Sequence, residues 1–273
     1  MTKNELFAAI TERRSYLCVG LDTEYAKLPE HLKEHPDAIF EFNRQIIDAT
    51  ADYCVAYKPN IAFYEALGPA GWDALARTLA YIPKTHFTIA DAKRGDIGNT
   101  SRLYATAFFE KMTFDAITVA PYMGRDSVEP FLGFEGKWAI ILGLTSNVGS
   151  GDFQQLTSAG EPIYAHVLRT AAKWGTPENT MFVIGATHPE QFRDVRRILP
   201  EHFFLVPGIG AQGGDLAAVS RNGFNAQCGL LVNSSRGIIY ASSGTDFAEA
   251  ARHEAQKIQS DMAKLLLSAG IVE

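Results

Sequence analysis

The sequence predicts a (β/α)8 barrel of the α/β class, also called a TIM barrel, on three observations: eight short apolar runs, their even spacing, and helical pattern between them. The runs are nearly all-apolar rather than alternating, as parallel strands covered on both faces require. Their starts lie about 30 residues apart, the length of one βα unit. The chain has 273 residues, and such barrels use about 250. A doubly wound sheet shares this local periodicity, but the count of eight favours closure. No Pro/Ser-rich linker or charge block divides the chain, so residues 1–273 are expected to form a single barrel domain.

Taken in order, MTKNELFAAITERRS reads as a helix rather than a secretory signal, because it carries Glu5, Glu12 and two arginines and no long apolar run. The expected strands are YLCVGLD from Tyr16, YCVAYKP from Tyr53, HFTIADAK from His86, DAITVAP from Asp115, WAIILGLTS from Trp138, MFVIGAT from Met181, FFLVPGIG from Phe203 and GLLVNSS from Gly229. Helical spacing occupies 38–51, 72–81, 101–112, 163–174, 190–199, 214–222 and 247–267. The longest connections are 23–52 and 146–180, the second holding the small-residue loop NVGSGDFQ.

Composition narrows the function. With 25 Lys+Arg against 31 Asp+Glu, the net charge of -6 provides no broad basic footprint for nucleic acid. No stretch approaches the ~18 apolar residues of a membrane span. Cys18, Cys54 and Cys228 form no CxxC pair and lie in or beside apolar runs, so they are expected to be buried free thiols. That suits a reducing, cytoplasmic location.

In a barrel the active site is assembled at the carboxyl ends of the strands. Asp22 ends the first run, Lys58 the second, Asp91 and Lys93 the third, and Ser146 the fifth. The fourth contributes Pro121 and Tyr122, the sixth Thr187 and His188. Asp91 and Lys93, two apart, project to one face of an extended chain. With Lys58 nearby they would form an alternating charge network, the alternative being a structural ion pair at the rim. Asp96, past Gly95, reads by spacing alone as a helix N-cap or first-turn acid. In VPGIGAQGGD, Val206 to Asp215, four glycines before a helix allow backbone N–H groups to approach an anion. Arg236, after the eighth run, adds a charged fork suited to phosphate.

No HExxH, EF-hand, GxSxG or GxxxxGK[ST] string occurs, and His86 and His188 read as structural. Lys58 stands where a metal enzyme would place an acid, which disfavours a divalent metal. Two rivals remain open: a magnesium-dependent sugar-phosphate aldolase or decarboxylase, and a non-catalytic barrel that binds a nucleotide.

Asp22, KPN at Lys58–Asn60, DAKRGD at Asp91–Asp96, TSN at Thr145–Asn147, PGIGAQGG at Pro207–Gly214 and SSRG at Ser234–Gly237 are the motifs on which the chain resembles the orotidine 5′-monophosphate decarboxylases, in their longer bacterial branch (type 2). The resemblance covers nearly the whole chain. It implies a homodimeric barrel that makes uridine monophosphate and CO2, the last step of pyrimidine synthesis, without metal or organic cofactor. It also implies that Lys58, Asp91 and Lys93 form the charged network and that Asp96 and Thr100 cross the subunit interface. Asp22 and Lys58 would hold ribose hydroxyls, and Ser146 would contact the pyrimidine. Gln212 and Arg236 would grip the phosphate, the loop from Pro207 closing as a lid, with Pro207, Gly213 and Ser235 also among the substrate-binding residues. Asn60, set with the substrate-binding residues, and Arg125 look like features of the longer branch. By the same resemblance, Lys93 faces and protonates a C6 carbanion, and Asp91 either repels the departing carboxylate or orients Lys93.

Overall fold

The computed structural model of the chain describes residues 1–187, 189–209 and 214–273. Eight parallel strands close into a barrel: β1 Leu17–Gly20, β2 Ala56–Lys58, β3 Phe87–Arg94, β4 Ala116–Val119, β5 Trp138–Leu144, β6 Thr180–Ile184, β7 Phe203–Pro207 and β8 Leu230–Ser234. Each pairs with its neighbour in sequence, and β8 returns to β1, where Cys18 lies opposite both Asn233 of β8 and Ala56 of β2. Every residue of β1, β2, β4, β6 and β8 is buried, which is why these runs carry no polar alternation.

The helices follow local signals. Lys3–Arg13 opens with a capping box in which Thr2 and Glu5 satisfy each other's backbone donors. Pro69–Tyr81 starts three residues before the expected Trp72, because Pro69 supplies a preset first turn after Gly68 at φ 63°. Gly98–Thr106 likewise starts earlier than Ser101, and continues as a π-helical turn over Ala107–Lys111. Leu216–Gly223 starts later than Gly214, because Asp215 caps it through Ala218 N, 3.1 Å from its carboxylate. Helix Arg125–Leu132 was not expected from spacing. It is short and carries Pro130, yet buries Val128 and Phe131. Ala38–Thr50 and Phe247–Ser268 pack together through stacked Phe42 and Phe247, with centroids 5.0 Å apart. Ile163–Ala171 and Gln191–Ile198 complete the layer.

The connection 146–180 holds more order than a small-residue loop. A 3-10 turn spans Val148–Asp152, and Thr157–Ser158 pairs antiparallel with Glu161–Pro162. Ala159 and Gly160, at φ 52° and 82°, make the tight turn between them.

Charges at the amino ends of the strands are held by the backbone. Arg196, half-buried without a carboxylate partner among the described residues, donates to the carbonyls of Leu199, His202, Gly223 and Gly229 at 2.6–3.1 Å. Its guanidinium lies 3.8 Å from the Phe204 ring centroid. Burial pulls its pKa down to about 9. Asp115 accepts from the Met1 ammonium at 2.8 Å and from Thr88 N and Oγ1 at 2.9 and 2.7 Å. The three cysteines are buried and free, as their apolar surroundings predict. No helix among the described residues is long and apolar enough to cross a membrane.

Candidate active site

At the carboxyl ends of β1, β2 and β3 the structure brings Asp22, Lys58, Asp91 and Lys93 into one chain of charge. Lys58 Nζ donates to Asp91 Oδ2 at 2.7 Å and lies 3.9 Å from Asp22 Oδ1. Lys93 Nζ donates to Asp91 Oδ1 at 2.6 Å. Solvent reaches these groups unequally: the side chains of Lys58 and Asp91 are 5% and 11% exposed, that of Lys93 52%. Lys93 is therefore the end of the network that faces outward.

The electrostatics follow from this packing. Burial alone would raise the Asp91 pKa, but the Lys58 and Lys93 ammoniums hold it well below the usual carboxylate range. Burial opposes the charge of Lys58, and Asp91 and Asp22 more than reverse that, so its pKa is raised. Asp22 Oδ1 is buried with no hydrogen-bond partner among the described residues. An acceptor left so costs about 1–3 kcal/mol, and the Lys58 ammonium at 3.9 Å offsets part of that cost. The Lys58 ammonium stands between two carboxylates, the position a divalent cation would take. Among the described residues no group of three His, Cys, Asp or Glu is arranged to hold a metal.

Asp91 and Lys93 meet for a different reason than regular alternation. Ala90 pairs with Ile117 and Arg94 with Val119, so Asp91, Ala92 and Lys93 of β3 lie opposite Thr118 alone. This bulge puts Lys93 at φ 49°, a left-handed conformation that costs a non-glycine residue roughly 1–2 kcal/mol. The turn of the bulge folds the Lys93 side chain back onto Asp91. Thr118 is 1% exposed; its Oγ1 accepts from Lys93 N at 2.9 Å and donates to Asp91 Oδ1 at 3.1 Å. On the far side Arg94 ion-pairs with Glu65 and donates to Ala92 O at 3.1 Å. Thr118 was missed in the sequence; its one signal is a hydroxyl inside the apolar run DAITVAP.

Other expected residues are arranged around this centre. Asn60 caps helix Ile61–Glu65, its Oδ1 accepting from Ala62 N at 3.3 Å, and its backbone bridges to Asp91. Ser146 follows β5, and a Cβ at Gly185 would lie 2.7 Å from Ser146 N, so glycine is needed for that approach. Gln154, also unforeseen, accepts from Thr145 N and donates to Thr145 Oγ1, both at 2.8 Å, fixing the loop that carries Ser146. Ser235 crowds Gly20, where any Cβ would overlap its hydroxyl. Ser235 accepts from Asn233 Nδ2 at 3.2 Å, and Asn233 Oδ1 is a second buried acceptor without a partner among the described residues. Arg236 is exposed, and its guanidinium makes no hydrogen bond or ion pair with any described residue. Pro207 ends β7, and Gly214 N donates to Gly208 O at 3.1 Å, holding the flanks of the glycine-rich segment together. Gln212 and Gly213, like His188, lie outside the described residues.

Asp96 and Thr100 do not join the network within the chain. Asp96 Oδ1 accepts from Ile97 N at 2.8 Å, and Thr100 is exposed on helix Gly98–Thr106. The spacing-based reading of Asp96 as an N-cap or first-turn acid is corrected, because the helix begins at Gly98 and Ile97 holds the cap position without a side-chain bond.

The Orotidine 5′-phosphate decarboxylase / HUMPS family profile matches residues 15–252. The chain belongs to this family. It is 56% identical to the orotidine 5′-phosphate decarboxylase of Phocaeicola vulgatus over 270 residues, covering 97% of this chain and 99% of that one. The Flavobacterium johnsoniae decarboxylase is 57% identical over 269 residues, with 97% and 98% covered. The solved structure of Leishmania donovani OMP decarboxylase superposes with a TM-score of 0.79 at 36% identity, covering 95% of this chain and 99% of that one. The family barrel of such structures is the fold seen here. The magnesium-dependent alternative finds no support among these relatives, which span the full chain and carry the decarboxylase name.

Proposed function

We propose that this chain converts orotidine 5′-monophosphate into uridine 5′-monophosphate and CO2 through Lys93, as a cytoplasmic homodimer of single barrels spanning residues 1–273, with no metal or organic cofactor. The decarboxylase activity follows from family membership and from full-length relatives more than half identical. The long connections and the residues Asn60 and Arg125 support placement in the longer, type 2 branch.

The observation that carries the mechanism is the Asp22–Lys58–Asp91–Lys93 chain of alternating acids and bases, whose most exposed member is Lys93. When the C6 carboxylate leaves as CO2, the electron pair of the broken bond stays on C6, with no adjacent carbonyl to accept it. A pre-placed ammonium stabilises that charge without reorganisation. Lys93 then delivers a proton from Nζ to C6 and recovers one from water. Asp91 holds Nζ in place, and Lys58 keeps Asp91 ionised. Asp22 and Lys58 hold the ribose hydroxyls, Asn60 stands with the substrate-binding residues, and Ser146 meets the pyrimidine. Arg236, Ser235, Pro207, Gln212 and Gly213 serve the phosphate, whose binding energy closes the site.

Ile97, Leu103, Tyr122 and Met123 are exposed apolar residues on the rim that bears Asp96 and Thr100. Covering that rim by a second copy would bring Asp96 and Thr100 to the partner's network. The test mixes inactive Asp91→Ala and Asp96→Ala proteins under subunit exchange. Hybrid dimers hold one intact site, so about one quarter of wild-type turnover is expected; no recovery would overturn the shared site. Turnover of chelator-treated protein should equal that of untreated protein, and loss restored by magnesium would overturn the metal-free mechanism.

A further inference from the structure

We propose that Thr118 is a positioning residue for decarboxylation, its hydroxyl joining the backbone of Lys93 to the carboxylate of Asp91 so that the ammonium of Lys93 is held on the reacting carbon. The inference rests on the reading of Lys93 as the proton donor.

The bulge creates the need. Three residues of β3 face one residue of β4, so the ladder skips a rung and the Lys93 N–H finds no strand carbonyl. A backbone N–H that loses its ladder partner needs another acceptor, and Thr118 Oγ1 accepts it at 2.9 Å. Pairing resumes one residue further on, where Ala120 N donates to Arg94 O at 2.8 Å.

That bond also fixes the direction of the hydroxyl proton. A backbone N–H only donates, so the threonine proton is free to point to Asp91 Oδ1, 3.1 Å away. An ionised carboxylate only accepts. The same oxygen accepts Lys93 Nζ at 2.6 Å. The result is a closed ring: Lys93 N–H to Thr118, Thr118 O–H to Asp91, and Lys93 ammonium to the same Asp91 oxygen. Both ends of Lys93 are thereby tied to one carboxylate, whose other oxygen is held by Lys58. Without the hydroxyl, Asp91 can rotate and the bulge loses its only side-chain tie to β4 among the described residues.

Thr118→Val keeps the β-branched shape and removes the hydroxyl. A displacement of about 1 Å at a reacting group costs on the order of 100-fold in rate, so kcat should fall by about that factor. KM and uridine monophosphate affinity should stay within about threefold of wild type, because the phosphate and ribose contacts are untouched. Thr118→Ser should recover most of the loss. A wild-type kcat for Thr118→Val, or equal kcat losses in the valine and serine variants, would overturn the proposal. Should the valine variant fail to fold, Thr118→Ser and Thr118→Ala differ by the hydroxyl alone, and equal kcat values would overturn it equally. Lys93→Ala is measured alongside. If it retains turnover, the reading of Lys93 falls; if it is inactive while Thr118→Val is wild-type, Thr118 alone falls.

Discussion

The two ends of the barrel both bury charge, by opposite means. At the amino ends Arg196 has no acid beside it and is surrounded by carbonyls, so its charge is held by fixed dipoles and its pKa falls to about 9. At the carboxyl ends Lys58 is held by two aspartates, and its pKa rises instead. A cation held by dipoles belongs to the scaffold, since neither carbonyls nor guanidinium need move. A cation held within a chain of ions responds to any new charge brought to that chain, as a substrate phosphate and carboxylate would be. The comparison teaches that desolvation is common to both ends, and that the partner decides whether a buried charge serves stability or chemistry.

Asp91→Ala should separate the ends most sharply. It leaves Lys58 and Lys93 without their shared anion, and kcat is expected to fall by roughly 1000-fold or more, read in a steady-state CO2 assay. Arg196→Met should do the converse: a loss on the order of 3 kcal/mol in denaturant unfolding, from carbonyls left unsatisfied, with kcat within about twofold of wild type. Equal effects of both variants on stability and kcat would break the distinction. Arg236→Ala should raise KM by about 10- to 100-fold, the worth of a charge-assisted phosphate contact, without moving the melting temperature.

The smallest effect at neutral pH belongs to His202 beneath the barrel, whose ring nitrogens are both buried without partners among the described residues. Burial, with Arg196 nearby, lowers its pKa from 6.5 to about 4. Between those values the unfolded chain binds the proton and the folded one does not. Stability from this group is therefore full above pH 6.5 and is lost as pH falls through the window toward about 4. From pH 7 to pH 5 the loss is on the order of 2 kcal/mol, and His202→Leu should flatten it. An unchanged pH slope would show that the ring binds its proton equally well in the folded and unfolded chain, against the burial effect.

The barrel was legible because burial on both faces of a parallel strand writes an unbroken apolar run, and eight such runs, from Tyr16 to Gly229, all became strands. Helix Arg125–Leu132 escaped because eight residues containing Pro130 carry too little periodicity. The charges of the site were visible as polar residues ending apolar runs. How they meet was not: spacing suggests regular extension over Asp91–Lys93, whereas a bulge and a left-handed Lys93 make the contact. Nothing local marks that bulge, since its cause is the register against β4. Thr118 was hidden for a related reason, because it acts on residues that only the β3–β4 pairing brings near, and Gln154 because it reaches nine residues back to Thr145 through a connection without periodicity.

The central claim is that the outward cation of the network performs the chemistry. Single-turnover CO2 release by Lys93→Ala, with uridine monophosphate affinity measured on the same sample, tests it directly. The account predicts a rate lower by at least about 1000-fold with product affinity within about tenfold of wild type. Release within tenfold of the wild-type rate would contradict it.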